Sequence, residues 1–181
     1  MKMPLAGPKK RSANRRVPRR LVLGGLLLFI GATICISAQA APPPSFAIYL
    51  IDEGGRTAAN AREVRLGRLV LSDRDLIGYV WRTHSMMVKP MAWKRLPRQD
   101  EVGVRGLPFA VVADGAVRYR GAFWTSLSSV ATEQPVIDVL AMTRGRIQIQ
   151  RGYPSGGYHP GPDPRNDARV RAVLRSLGKL R

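Results

Sequence analysis

The stretch FAVVADGAVRYR, residues 109–120, decides the fold because it reads as two β-strands joined by a tight turn. Asp114 and Gly115 separate two β-prone runs, and both central residues of a type I′ turn need a positive φ, which Asp and Gly tolerate. A two-residue loop also sets the register, so that Phe109 is expected opposite Arg120. The first run is apolar on both faces and is therefore expected inside a sheet, with the second run nearer an edge.

Further β-prone runs lie on both sides of this hairpin. Residues 45–52 are apolar and end at a glycine-containing turn, which predicts a largely buried strand, and residues 66–71 predict a second strand. Residues 83–88 predict a third. After the hairpin, residues 135–140 form another apolar run. Residues 146–151 alternate apolar and polar side chains, as a strand with one solvated face does.

Two short helical segments are expected between the second strand and the hairpin. In residues 71–81, Ser72 is a good N-cap residue and Asp75 stands three positions later, a spacing typical of a helix start. Gly78 would keep that helix short, because glycine weakens a helix interior. Pro90 predicts a second helical turn, since proline is favoured at the first helical position.

The C-terminal region predicts one amphipathic helix. Its apolar residues recur at helical spacing at Val170, Val173, Leu174 and Leu177. Asp163 or Asn166 would cap its start, and Gly178 would end it. The order of elements predicts an α+β domain, in which a mainly antiparallel sheet carries short helices on one face and the C-terminal helix packs on it.

The N-terminus has the order of an export signal. The first 20 residues carry eight basic side chains and no acid, and residues 21–36 are uncharged and mostly aliphatic. Small residues at Ala38 and Ala40 predict cleavage after Ala40. The alternative is a retained anchor with the domain outside, although this apolar run is shorter than the ~20 residues that a spanning helix needs. The predicted division is a signal peptide at 1–40, a Pro-rich linker at 41–44 and one exported α+β domain at 45–181.

The charge balance bounds the class of partner. The chain has 30 Lys and Arg against 12 Asp and Glu, a formal net charge of +18. Removal of the predicted signal takes away eight basic residues and no acid, which leaves 22 against 12 and a charge of +10. A basic exported domain attracts anions, so an anionic envelope component or another envelope protein is a candidate partner, and export takes most nucleic acid out of reach. Because the basic residues are scattered, the sequence favours a generally basic surface over a dedicated binding footprint, and the partner itself is not predicted.

Several kinds of chemistry are not expected. The only cysteine, Cys35, lies in the predicted signal, so no disulfide, thiolate metal site or cysteine nucleophile is expected in the exported domain. The sequence contains no phosphate loop, dinucleotide fingerprint, metal-binding histidine pair or calcium loop. Neither a metal nor a cofactor is therefore expected.

A loop that follows the hairpin, residues 123–129 (the contact loop), holds aromatic and hydroxyl side chains. Together with nearby arginines, and with Trp81 and Trp93, it could form an aromatic and guanidinium surface for a peptide, a glycan or an acidic ligand. The candidate contact residues are Arg118, Arg120, Phe123, Trp124, Ser128 and Ser129. The alternative is that the aromatic side chains fill the core of a small domain.

The competing hypothesis is a small envelope hydrolase in which Ser126, Ser128 or Ser129 acts with His84. No Gly-x-Ser-x-Gly turn is present to expose a serine, and hydroxyls in a loop usually bond to nearby backbone groups. A lone histidine on a strand is more often a structural residue than a catalytic base. His84, like Asp114 and Gly115 of the turn, is therefore interpreted as a structural or polar position, and no catalytic residue is assigned.

Several short motifs carry a resemblance to known proteins. They are Trp81-x-Thr83-His84, Gly106-Leu107-Pro108-Phe109, the Asp-Gly hairpin, Tyr119-x-Gly121-x-Phe123-Trp124 and Ser128-Ser129. Over about residues 45–130 the chain resembles a group of small exported bacterial proteins of unknown function. The order of elements is also similar to the periplasmic head domain of the export subunit SecD, a likeness of fold alone. The resemblance implies no activity, and a non-enzymatic binding or accessory module of the cell envelope is the expected function.

Overall fold

Eight strands, four 3-10 helices and one α-helix make up the part of the chain that the structure, a computed structural model, describes: residues 42–52, 54, 64–154, 159 and 161–181. The strands are β1 (Phe46–Ile51), β2 (Leu66–Ser72), β3 (Leu76–Val80), β4 (Ser85–Val88), β5 (Leu107–Ala113), β6 (Ala116–Trp124), β7 (Val136–Asp138) and β8 (Arg146–Gln148). The 3-10 helices are Trp81–Thr83, Pro90–Arg95, Gln99–Glu101 and Pro164–Asn166, and the α-helix is α1 (Ala168–Ser176).

The strands form two sheets, where a single sheet was expected. One sheet has the order β2-β1-β5-β6-β7 and is antiparallel except for β7, which runs parallel to β6. The other has the order β3-β4-β8 and is antiparallel throughout. The predicted α+β class is confirmed: the sheets are mostly antiparallel, the helices are few and short, and a helix closes the chain. As predicted, β5 is an interior strand.

The hairpin forms as predicted at its turn, but its register changes further out. Asp114 and Gly115 have φ values of 51° and 73°, as a type I′ turn requires. The two pairs next to the turn follow the predicted register, after which a β-bulge places Tyr119 opposite Val111 and moves Phe109 opposite Gly121. The predicted pairing of Phe109 with Arg120 is therefore wrong. The extra residue lets Tyr119 join the core while its neighbouring arginines stay at the surface.

The helix predicted over residues 71–81 does not form. Ser72 and Asp75 do interact, since the Ser72 N–H and hydroxyl each donate to the Asp75 carboxylate at 2.8 Å, but they close a turn that leads into β3. Gly78 lies opposite Met87 in β4, and this cross-strand pairing decides the conformation of the segment. The Ser72–Asp75 bonds resemble those of a helix cap, but pairing with β4 overrides the helix that this spacing usually starts.

Side chains from both sheets and from α1 pack into one core. Phe46 of the first sheet and Tyr79 of the second meet edge to face, with ring centroids 6.4 Å apart. From α1, Val170 and Leu174 are fully buried, as the predicted apolar stripe requires. The α-helix is capped by Asp167, whose carboxylate accepts two backbone N–H bonds, and not by Asp163 or Asn166; Asp163 instead caps the preceding 3-10 helix.

The last residues of the chain lie against the edge of β3. The Tyr79 N–H donates to the Lys179 carbonyl at 2.7 Å, and the Arg181 N–H donates to the Tyr79 carbonyl at 2.8 Å. The Lys179 ammonium group also donates to the Leu76 carbonyl at 2.8 Å. This arrangement follows directly after Gly178, whose φ of 64° ends the helix as predicted.

The predicted signal peptide lies outside the described residues. Within those residues, none of the helices has the length and apolar character that crossing a membrane requires.

Candidate functional site

The two aromatic side chains of the predicted contact loop are buried. Phe123 is 0% and Trp124 is 2% exposed. Phe123 packs edge to face on Phe109 with ring centroids 5.3 Å apart, and Trp124 packs against Tyr153 at 6.1 Å. Gly106 passes so close that a Cβ atom there would lie 2.6 Å from the Trp124 ring. Both side chains are therefore packed inside the domain and are not exposed to solvent.

The hydroxyl groups of the contact loop bond to nearby backbone. The Ser128 hydroxyl donates to the Val104 carbonyl at 2.9 Å and accepts the Val130 N–H at 3.2 Å. The Thr125 hydroxyl accepts the Leu127 N–H at 3.3 Å. Ser129 is exposed. These bonds are the local hydroxyl-to-backbone bonds that hold an irregular loop in shape.

The polar residues of the hairpin connect it to the start of α1. Arg118 pairs with Asp167 at 3.1 Å, and Asp114 at the turn pairs with Arg169. Burial acts to raise the pKa of Asp167, but the hydrogen bonds from Arg118 and from the Val170 N–H outweigh it and hold the pKa below its usual value. Arg118 and Asp114 are thus parts of an intramolecular contact.

Arg120 lies apart from this contact, beside Arg105. Both arginines line a cleft of about 400 Å³ whose floor includes the backbone of Gly106 and Gly121. Of the predicted contact residues, Arg120 and Ser129 are exposed, Phe123 and Trp124 are buried, and Arg118 and Ser128 form internal bonds.

His84 is buried against a tyrosine and not against a serine. Its side chain is 4% exposed, and its Nδ1 atom lies 3.0 Å from the Tyr79 hydroxyl. Burial raises the pKa of Tyr79 far above its usual value, so this hydroxyl stays protonated while it is hydrogen-bonded to Nδ1. Burial, and then the positive charge of Arg165, lower the pKa of His84, which is therefore neutral at physiological pH. His84 also has a left-handed backbone, with φ of 49°.

This arrangement bears on the hydrolase hypothesis. The Nδ1 atom of His84 is occupied by Tyr79, while the Ser128 hydroxyl is occupied by the Val104 carbonyl. The structure therefore does not show the hydrogen bond between His84 and a contact-loop serine that a catalytic base and its nucleophile require. Asp163, the N-cap residue of the 3-10 helix Pro164–Asn166, forms an ion pair with Arg165 at 2.6 Å.

A metal site is not formed by the described residues. In the ranges given above, no three His, Cys, Asp or Glu side chains come close enough together to hold an ion.

A surface that the sequence did not single out lies between the 3-10 helix Pro90–Arg95 and the loop at residues 139–145. Two adjoining hollows of about 530 and 440 Å³ share Trp93 and Lys94, and together they are called the Trp93 groove. The first hollow is lined by Pro90, Trp93, Lys94, Arg144 and Gly145. The second is lined by Trp93, Lys94, Leu96, Pro97, Arg98, Gln99, Val139 and Met142.

Local geometry explains why this helix presents Trp93. Pro90 starts the helix, and a 3-10 helix brings residues three apart onto the same side. Ala92 is fully buried, which fixes the inner side, and Arg95 ties the helix to β2 by donating to the Val70 carbonyl at 3.3 Å. Lys94 is exposed and Trp93 is only partly covered. The helix therefore shows an indole and an ammonium group side by side.

The charge of the Trp93 groove has one sign. Lys94, Arg98 and Arg144 line it, and no Asp or Glu is among the described residues that do so. Its walls are mostly apolar, and Met91 and Leu140, on the helix and loop that form them, are 67% and 44% exposed. Sequence reasoning named Trp93 as one aromatic candidate but missed Lys94 and Arg144. Those two residues are 50 positions apart, and no local pattern connects them.

Comparison with protein-family models, with characterised proteins and with solved structures gives no match to this chain. The resemblance noted from the sequence motifs therefore stays an expectation, and the argument for function depends on the geometry of the site.

Proposed function

We propose that this protein is an exported, non-enzymatic binding module of the cell envelope, and that the Trp93 groove is its contact surface for an anionic envelope component. The observation that carries the proposal is the groove itself, a partly exposed indole set among three basic side chains with no acid in the described lining. The basic N-terminus followed by an aliphatic run supports export.

The physical chemistry of the groove suits binding. Volumes of about 530 and 440 Å³ lie in the range of ordinary ligand sites, and such sites combine apolar walls with a few polar groups. Tryptophan and arginine are also the residues that most often dominate binding energy. The excess of basic residues adds a long-range attraction, because a positive net charge raises the local concentration of anions.

The non-enzymatic part of the proposal is supported by the bonds of the reactive groups. His84 is hydrogen-bonded to Tyr79 inside the core, and Ser128 is hydrogen-bonded to backbone. These bonds stabilise the fold. The Trp93 groove contains cations and apolar side chains, which bind and orient an anion.

The test is retention of the purified full-length protein on isolated bacterial envelopes, measured by co-sedimentation. We expect Trp93→Ala to weaken retention by ~10-fold, since loss of a central aromatic contact commonly costs more than ~1 kcal/mol. The double variant Lys94→Gln/Arg144→Gln should also weaken it. Arg175→Gln, which removes one exposed positive charge from α1, is the matched control and should bind as the wild type does.

Each variant is also melted, because a lower melting temperature would make weaker retention a folding effect. Trp93→Phe then replaces Trp93→Ala, since it keeps an aromatic ring in place. Folded variants that retain full binding would overturn the proposal that this groove is the contact surface.

A further inference from the structure

We infer that the ligand of the Trp93 groove is an anionic single-chain amphiphile, that is, a hydrocarbon chain ending in one carboxylate or phosphate group. This inference rests on the proposed function and names the chemical class of the ligand. Three properties of the groove carry it: the hydrogen-bonding capacity of its walls, its extent, and the position of its cations.

The walls of the groove offer few partners to a polar ligand. The apolar wall residues are Pro90, Trp93, Leu96, Pro97, Val139 and Met142. Pro90 and Pro97 have no N–H to donate, and the carbonyl of Gly145 already accepts the Val88 N–H at 2.9 Å. An extended peptide in the groove would bury backbone groups without partners, at a cost of ~1–3 kcal/mol for each group. A hydrocarbon chain carries no such groups and gains free energy when it leaves water.

The extent of the groove suits an elongated ligand. Both hollows are lined by Trp93 and Lys94, so a chain that fills one hollow ends beside residues that also line the other. The second hollow holds Val139 and Met142, both partly buried against the core. A flexible thioether such as that of Met142 adapts to a variable aliphatic surface.

The cations stand where a headgroup would be held. Lys94 is shared by both hollows, and Arg144 lies with it in the first. Neither has an ion-pair or hydrogen-bond partner among the described residues, whereas Arg98 in the second hollow pairs with Asp100 at 2.9 Å. Lys94 and Arg144 are therefore the two charges left to bind an anion. A headgroup between them would place its chain along Trp93.

The experiment is calorimetric titration of the full-length protein with dodecanoate and with dodecyl phosphate, each below the concentration at which it forms micelles. Inorganic phosphate tests the headgroup alone, and dodecyltrimethylammonium tests the same chain with the opposite charge. We expect both anionic amphiphiles to bind at one site and to raise the melting temperature, as a ligand of the folded state does. Inorganic phosphate should bind at least 10-fold more weakly, and the cationic amphiphile should not bind.

The variants place the binding in the groove. Lys94→Gln/Arg144→Gln and Trp93→Ala should each weaken dodecyl phosphate binding by ~10-fold, whereas Arg175→Gln should leave it unchanged. Comparison of the affinities for dodecanoate and dodecyl phosphate shows which headgroup the protein prefers. A heat-capacity change that is negative for the wild type and smaller for Trp93→Ala is the sign of apolar burial at the indole.

Four results would overturn the inference. Inorganic phosphate that binds as tightly as dodecyl phosphate would show that the chain contributes nothing. If none of the groove variants weakens amphiphile binding, the amphiphile binds outside the Trp93 groove. If neither amphiphile binds while envelope retention still depends on Trp93 and Lys94, the ligand belongs to another anionic class and the proposed function stands. If the groove variants change neither envelope retention nor amphiphile binding, the inference and the proposed function are both overturned.

Discussion

His84 shows how one buried side chain links structure to pH. Its Nδ1 atom is hydrogen-bonded to the Tyr79 hydroxyl in the core, and the charges of Arg165 and Asp163 shift the pKa of His84 in opposite directions. Burial is the largest effect and lowers the pKa of His84, so the folded protein holds this imidazole in its neutral form. The sequence predicts a structural or polar position for His84, but no local pattern identifies Tyr79 as its partner.

The lowered pKa of His84 predicts weaker stability in mild acid. Between its folded pKa and ~6.5, the unfolded chain binds more protons at this position than the folded chain does, so the free energy of unfolding falls as pH falls through that window. Urea unfolding at pH 7.5 and at lower values down to pH 5 should show this slope. His84→Asn, which suits a φ of 49° and does not titrate, should flatten it.

The carboxylates with lowered pKa values, Asp75, Asp163 and Asp167, lose their contributions only below the usual aspartate range, outside this window. An unchanged slope in His84→Asn would mean that another group titrates there.

At the scale of elements, the hairpin and α1 are held together by their polar ends. The turn residue Asp114 pairs with Arg169, and Arg118 at the bulge pairs with Asp167, which is also the N-cap of the helix. The bulge thus brings a cation to the start of a helix that needs an anion there for its own capping. A two-residue turn can be predicted from sequence, whereas a bulge depends on which side chain packs into the core.

Asp167 should therefore be worth more than an ordinary surface aspartate. Asp167→Ala removes the cap and the partner of Arg118, and we expect it to lower the free energy of unfolding by ~1–3 kcal/mol. Asp167→Asn keeps a capping oxygen and should cost less than ~1 kcal/mol, because the ion pair is partly exposed. Chemical denaturation of both variants measures the two contributions, and equal losses would assign the effect to the ion pair in place of the cap.

At the scale of the whole molecule, elements with a continuous local sequence pattern could be predicted from sequence. Features that depend on pairing between distant residues could not. The strands at residues 45–52 and 66–71 were found because their β-prone runs are continuous and bounded by turn residues. The segment at residues 71–81 was misassigned because β4, further along the chain, decides its conformation. The Trp93 groove joins a helix to a loop 50 residues later, and only the folded chain brings Lys94 and Arg144 together.

The charge of the groove predicts that binding to envelopes depends on salt. Retention should fall between 0.1 and 1 M NaCl, as the screening length shrinks from ~10 to ~3 Å. The part that persists at high salt measures the apolar contribution of Trp93. In Lys94→Gln/Arg144→Gln the dependence should be flatter, again with Arg175→Gln as the control. If the retention of the wild type does not change with salt concentration, these cations take no part in binding.

The bonding of Tyr79 to Lys179 and Arg181 has a consequence for the behaviour of the protein in concentrated solution. An open strand edge offers its amide and carbonyl groups to any neighbouring molecule and so invites aggregation. Here the chain supplies its own cover at β3, since the Tyr79 N–H and carbonyl are both occupied by the residues that follow α1. Residues 179–181 therefore protect this part of the β3 edge, and substitutions that detach them should favour self-association.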